Sequence, residues 1–358
     1  MDILLVGGTM SHRGGLEAFC ERAQDALTDI GGHRVDWVHS NSSYLRMASL
    51  GKFAACIGEL FRRRKQGWSC LWLQYASLPD LLLLAVGCLF GYRVLVTPHL
   101  GSHAFSQANA PLRRLSASLL RLAHGIALIS TSQLEELALP LAVPRHQIKT
   151  FLPRCFPVRL RPAGHQGGNL VLAHAGRLSA AKGTFLFLEV CSLLKRQGLA
   201  FSAQLIGSCD EATRHRIDAF IRENELALSV EIIGRLPEGQ LLAALSQADV
   251  LIHLSDLDSF PLIVLEAVGC GVFPICMDLP GARFITQTYC GRIVAGPNAV
   301  SEVVDVLIGT SPTTLRQTAG LACQWLLADY AWRQSVTALE TAIMARSDRL
   351  RGPASLPM

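Results

Sequence analysis

The chain has 358 residues, 50% of them hydrophobic and 17% charged, which supports one large core or two ordinary ones and excludes a disordered chain. Its mean hydropathy is positive at +0.32, but the longest apolar run, Leu81 to Phe90, stops at Gly91-Tyr92-Arg93 and is too short to span a bilayer. The net charge of +5 is unevenly held: up to Pro162 there are 18 Lys and Arg against 10 Asp and Glu, and beyond it 15 against 18.

Apolar runs at Asp2 to Val6, Arg34 to Val38, Cys70 to Gln74, Arg93 to Val96 and Gly125 to Ile129 predict buried strands. The segments between them carry apolar residues at helical spacing, the rhythm of a parallel sheet with helices on both faces. It breaks after Pro153, where Pro157, Pro162, Gly164, Gly167 and Gly168 give the composition of a linker. A second series of strands follows at Leu170 to Ala175, Ala203 to Ile206, Val230 to Ile233, Val250 to Leu254 and Phe273 to Met277. The expected fold is α/β, two Rossmann-like domains in tandem, over 1–157 and 170–330 with a linker at 158–169. A terminal helix within 331–350, about Ala331 to Ala345, either caps the second domain or crosses back to the first.

The 11 cysteines are odd in number, lie mostly in apolar segments and form no C-x-x-C pair, so they read as reduced core thiols rather than disulfides or zinc ligands. The first strand starts at Asp2 with no charged leader or cleavage pattern, and a cytoplasmic location is expected. The basic first half contains no recognisable nucleic-acid-binding module. Its charge suits an anionic membrane surface or a diphosphate-bearing acceptor better.

Four segments carry chemistry. In Ser255-Asp256-Leu257-Asp258-Ser259-Phe260-Pro261, a strand feeds a loop and a helix begins near Pro261, so Asp258 sits in the loop and Glu266 projects from the helix. Spaced eight apart, both carboxylates can face one ligand. Gly176-Arg177-Leu178-Ser179, then Lys182-Gly183, follows the first strand of the second domain. A bidentate Arg and a flexible Lys beside a helix N-terminus suit a diphosphate. Gly14-Gly15-Leu16-Glu17 opens the first helix, where paired glycines free backbone amides for close approach. His99, in Val96-Thr97-Pro98-His99-Leu100-Gly101, stands at the carboxyl end of a buried strand, where open α/β sheets place their ligands, with His103 the less favoured candidate.

Together these motifs resemble retaining glycosyltransferase family 4, the group 1 glycosyltransferases of GT-B fold, from Gly14 to about Val294. The resemblance implies two parallel sheets facing across a cleft that holds a nucleoside diphosphate sugar. Glu266 would accept hydrogen bonds from the ribose hydroxyls, and Asp258 and His99 would lie beside the donor sugar. Arg177 and Lys182 would stabilise the departing phosphate, the two being counted with Asp258 and His99 as catalytic. Donor binding would also involve Gly15, Gly176, Gly207, Arg235, Ser259, Phe260 and Pro261, while Ile129-Ser130-Thr131-Ser132 looks like the family's serine turn and Arg154 adds positive charge. No metal and no cofactor beyond the sugar nucleotide is implied. The acceptor would be a glycan or glycolipid, lipid-linked or growing at the surface, and the anomeric configuration would be retained.

Three positions depart from the family pattern: Asp258 stands for Glu, Ser259 for Gly, and Pro280-Gly281-Ala282-Arg283-Phe284 lacks the acid of the family's Gly-Gly-x-x-Glu turn. Two other readings stay open. Asp256-Leu257-Asp258 after an apolar strand suits a metal-dependent GT-A transferase, although it lies behind a complete Rossmann-like domain. The altered acids also suit a non-catalytic sugar-nucleotide-binding subunit. Finally, Phe61-Arg62-Arg63-Arg64-Lys65-Gln66-Gly67-Trp68 and Pro111-Leu112-Arg113-Arg114-Leu115 to Arg121 interleave basic and apolar residues. The pattern fits peripheral docking on the inner face of the cell membrane, or equally a solvated helix face.

Overall fold

A computed structural model of the chain describes residues 1–9, 14–42, 50–157 and 169–345. Two units separate by their internal contacts, Met1–Leu152 with Tyr330–Met358, and Pro153–Asp329. Residues 158–168 of the expected linker and 346–350 of the expected terminal helix lie outside the described residues.

The first unit runs β1 (Asp2–Val6), α1 (Gly15–Asp29), β2 (Arg34–Val38), α2 (Leu50–Lys65), β3 (Cys70–Tyr75), α3 (Asp80–Leu89), β4 (Arg93–Pro98), α4 (Phe105–Ala108), α5 (Ala110–Leu120), β5 (Gly125–Leu128), α6 (Gln133–Glu136) and β6 (Arg145–Gln147). Its strands form one parallel sheet in the order β2-β1-β3-β4-β5-β6. The central β3 is buried at every position, as a strand covered on both faces must be, and its Leu71 and Leu73 join Leu4, Val6, Val94 and Val96 in the core. Asp80 at the start of α3 accepts the Ala76 and Ser77 amides at 3.0 and 2.8 Å and hydroxyls from Ser42 and Ser77.

The second unit continues with β7 (Leu170–Ala175), α7 (Thr184–Arg196), β8 (Phe201–Ile206), α8 (Glu211–Glu223), β9 (Val230–Gly234), α9 (Glu238–Gln247), β10 (Val250–His253), α10 (Leu262–Gly269), β11 (Phe273–Met277), α11 (Pro280–Thr288), β12 (Arg292–Val294), α12 (Ala299–Gly309) and α13 (Pro312–Asp329). The parallel order is β12-β11-β10-β7-β8-β9. Helix α8 starts on a side-chain cap, Asp210 accepting the Thr213 amide at 2.7 Å. A buried ion pair ties α13 beneath the sheet. Arg316 donates to both oxygens of Asp249, at 2.8 and 3.0 Å, and Asp249 also accepts the Val171 amide at the start of β7. That hydrogen bonding, with the Asp249 charge, outweighs burial and pushes the Arg316 guanidinium up.

After α13 the chain enters α14 (Trp332–Met344), which belongs to the first unit. It packs against α1, β5 and β6. Trp332 Nε1 donates to Leu152 O at 2.8 Å, and His33 Nε2 lies 2.7 Å from Glu340.

Periodicity does not announce β6 and β12. Each has three residues, and β6 and most of β12 are partly exposed at sheet edges, so neither presents an apolar run.

Candidate functional site

Three neighbouring strands of the second unit end on glycine. Gly176 after β7, Gly207 after β8 and Gly234 closing β9 have φ of 142, 152 and 84°. The backbone closes tightly there: Gly176 N donates to Ile206 O at 2.9 Å, and Gly207 N to Gly234 O at 2.8 Å. A Cβ on Gly207 would sit 1.7 Å from Gly176 O, so glycine is obligatory. These are the carboxyl ends of parallel strands, where open α/β sheets bind ligands. Arg235 follows Gly234 directly and is exposed.

The β7 loop passes through Arg177 and a single 3-10 turn, Ala180–Lys182, to Gly183, which opens α7 at φ 79°. A Cβ there would strike Leu254 O at 2.2 Å, so the loop lies flat on the end of β10. Its shape is set from below by a hydrogen-bond chain. Ser179 N donates to Thr184 Oγ1 at 3.0 Å, Thr184 Oγ1 lies 3.1 Å from His174 Nε2, and His174 Nδ1 lies 3.1 Å from Ile252 O. Burial pushes the His174 pKa down to about 4, against a smaller upward pull from the Ile252 carbonyl. The ring is therefore neutral near pH 7, with hydrogen on Nδ1 facing the carbonyl and Nε2 accepting from Thr184.

At the end of β10, Asp256 N donates to Ala181 O at 2.9 Å and fastens the two loops together. Lys182 Nζ then donates to Asp258 Oδ2 at 2.8 Å and to Leu257 O at 2.7 Å, while His253 Nε2 stands 2.9 Å from the same Oδ2. Burial raises the Asp258 carboxyl, but the hydrogen bond from His253, with the charge and hydrogen bond of Lys182, outweighs it and holds the group below the usual carboxylate range. Arg177 is exposed and makes no hydrogen bond or ion pair within the described residues. Its charge adds to the backbone and hydroxyl of Thr213 in holding Asp210 ionised.

Pro261 precedes α10, and Glu266 lies on its second turn, 6% exposed, the only ionisable side chain of an otherwise apolar helix. Phe260 is buried and faces Phe284 with ring centroids 6.3 Å apart. The turn that lacks the expected acid is built into α11. A Cβ on Gly281 would meet Ser259 O at 2.0 Å, and Arg283 is drawn away to Asp278 at 2.6 Å.

Gly15 and His99 belong to the first unit. Gly15 opens α1 behind Gly14, and the Glu17 carboxylate accepts the Gly14 amide at 2.8 Å and the Thr9 amide at 3.0 Å. His99 follows β4, its Nε2 2.8 Å from Gln74 Oε1 and its ring edge-on to Phe19 of α1 at 4.8 Å. Burial pushes its pKa down to about 3, so it is a neutral imidazole near pH 7.

The structure thus brings Gly176, Lys182, Gly207, Asp258 and Ser259 to one end of the second sheet, and Gly15 with His99 to the carboxyl end of the first. Sequence reasoning missed His174 and His253. The available signal was an imidazole inside each of two otherwise apolar strands.

The basic run on α2 is not a free patch. Arg62 and Arg63 pair with Glu59, Arg63 also with Asp36, and Arg64 donates to Phe90 O and Trp68 O. Trp68, expected at the interface, is buried. Lys65 stacks on exposed Phe61 at 4.3 Å, and Arg113 and Arg114 on α5 are exposed beside exposed Leu115. Among the described residues no helix is long and apolar enough to cross a membrane.

Two six-stranded parallel sheets flanked by helices are the GT-B architecture. The chain superposes on sucrose-phosphate synthase from Thermosynechococcus elongatus with a TM-score of 0.72, at 18% identity over 95% of this chain and 98% of that one. HepE from Anabaena, solved with UDP and glucose, gives 0.70 at 16% identity, over 95% of this chain and 98% of that one. These likenesses establish the fold. Residues 160–308 match the family model described as glycosyl transferases group 1. The amylovoran biosynthesis glycosyltransferase AmsK of Erwinia amylovora is 29% identical over 126 residues, which is 34% of this chain and 30% of the relative's length.

Proposed function

We propose that the protein is a glycosyltransferase that moves a hexose-type sugar from a nucleoside diphosphate donor to a glycan or glycolipid acceptor. One observation carries this reading above the others. Lys182, on the loop that also carries the exposed Arg177, meets Asp258 at strand ends whose glycines leave room for a ligand's backbone contacts. A diphosphate needs cations and free amides, and a sugar needs an ionised acceptor of hydroxyl hydrogen bonds.

In the proposed reaction the acceptor oxygen bonds to the anomeric carbon as the bond from that carbon to the diphosphate breaks. The acceptor hydroxyl passes its proton to the departing phosphate oxygen, and Arg177 and Lys182 take up the negative charge growing on that leaving group. Glu266 would hold the ribose, and Asp258 and His99 the transferred sugar. Gly15, Gly207, Arg235, Ser259, Phe260 and Pro261 would complete the donor contacts. We take the transfer to be metal-independent and retaining, in line with the family 4 resemblance. The group 1 match and AmsK support a role in glycan biosynthesis. A lipid-linked acceptor would make peripheral contact with an anionic membrane useful, on the cytoplasmic side.

The test is a thermal-shift panel of UDP-, GDP- and ADP-sugars, followed by turnover of the stabilising donor by the purified chain with and without EDTA. Stabilisation with EDTA-resistant turnover is expected. Turnover abolished by EDTA points to metal-dependent chemistry, and binding without turnover points to a sugar-nucleotide-binding subunit.

A further inference from the structure

Strand β10 is apolar until its last residue, which is an imidazole. His253 is 4% exposed, and its Nε2 lies 2.9 Å from Asp258 Oδ2, the oxygen that Lys182 also reaches at 2.8 Å. Oδ2 is therefore held twice. Asp258 Oδ1 accepts no hydrogen bond within the described residues, and the side chain keeps 21% of its surface open to solvent. The other imidazole nitrogen, Nδ1, is buried with no hydrogen-bond partner within the described residues. A buried N–H without an acceptor is costlier and rarer than an idle lone pair, so the ring hydrogen belongs on Nε2, donated to the carboxylate.

We infer that His253 is a positioning residue. It anchors Asp258 by Oδ2 and leaves Oδ1 as the oxygen offered to the donor sugar. The inference rests on the transferase reading above. Aspartate reaches one methylene less far than glutamate, so its carboxylate has to be fixed from the strand beneath it. Lys182 cannot be the lasting anchor, because a diphosphate competes for its ammonium. Among the described residues His253 has no competing partner, and it stays with Asp258 when Lys182 turns to phosphate.

A double-mutant cycle tests this. Single variants His253→Leu and Asp258→Asn and their combination are compared for kcat on the donor that the wild type turns over, and for Kd of the matching nucleoside diphosphate. His253→Leu is expected to lower kcat at least about tenfold, the worth of a hydrogen bond to a charged group, with little change in Kd. The same change on the Asp258→Asn background is expected to add no further loss. His253→Gln, whose amide can still donate, should recover most of the activity. Should circular dichroism show that His253→Leu does not fold, His253→Asn, too short to reach Asp258, takes its place in the cycle. Long-range proton–nitrogen NMR of the imidazoles, with the His253 signals assigned by their loss in His253→Gln, is expected to place hydrogen on Nε2.

An equal loss from His253→Leu on both backgrounds, an unaffected kcat, or a hydrogen on Nδ1 alone would overturn the inference. A wild type that neither binds nucleoside diphosphates nor turns over sugar nucleotides would instead overturn the transferase reading, and the NMR result would still decide how His253 meets Asp258.

Discussion

Lys182 and Asp258 lie 76 positions apart in the chain, yet their side chains meet at 2.8 Å because β7 and β10 are neighbours in the sheet. That pairing sets the expected behaviour of the two acids. Asp258→Asn removes the partner that competes with phosphate for Lys182, so nucleoside diphosphate affinity should hold while turnover falls. Glu266→Ala should weaken nucleoside diphosphate and sugar nucleotide alike, by roughly 1.5 to 3 kcal/mol, or about one to two decades. Calorimetry with both ligands on both variants checks this, after circular dichroism confirms folding. Equal losses of nucleoside diphosphate binding in the two would remove the division of roles.

Gly207→Ala should cost both stability and ligand binding, since its Cβ would meet Gly176 O at 1.7 Å and its φ of 152° strains any side chain. Gly234→Ala, with φ of 84° but open space around its Cβ, carries the backbone strain without the collision. Urea midpoints of the two variants separate these effects, with the larger drop expected for Gly207→Ala.

Acid should destabilise the fold through its buried imidazoles. His99 and His174, with pKa pushed down by burial to about 3 and about 4, titrate in the unfolded chain near 6.5. Between those limits the unfolded state binds more protons, so their contribution is fully present above about pH 6.5 and is lost as pH falls toward the folded values. Each can contribute a slope of up to about 1.4 kcal/mol per pH unit in that window. Asp258, held below the usual carboxylate range, adds a loss at lower pH still. Urea unfolding at pH 7 and pH 5 should show a smaller drop for His174→Gln than for the wild type.

Arg316→Met should destabilise the second unit by about 3 to 5 kcal/mol, because it strands the buried Asp249 carboxylate without its cation. Replacing both partners by apolar residues should recover much of the loss. Denaturant unfolding of the single and double variants checks the sign.

If the first unit docks on anionic membranes, Lys65, Arg113 and Arg114 should contribute more than Arg62, Arg63 and Arg64, which are already engaged within the protein. Co-sedimentation with anionic vesicles after neutralising each set is the measurement. Equal losses from the two sets would count against this ranking.

The alternation of buried strands and amphipathic helices, the glycines at strand ends and the Arg177, Lys182, Asp258 and Glu266 motifs were all legible in the sequence. Each is a local requirement, a run of side chains or a φ value that only certain residues satisfy. The short edge strands β6 and β12 were not, because three partly exposed residues leave no periodic trace. Nor could the chain alone reveal that α14 packs against β5 and β6, or that Arg62, Arg63 and Arg64 are held by Glu59, Asp36 and backbone carbonyls. The partners of Asp258 depended wholly on the fold. His253, Lys182 and Asp258 are an unremarkable imidazole, amine and acid until parallel pairing of β7 with β10 stacks two loops on one another. The strength of such contacts depends on distance and burial, and it is the strand order that sets both.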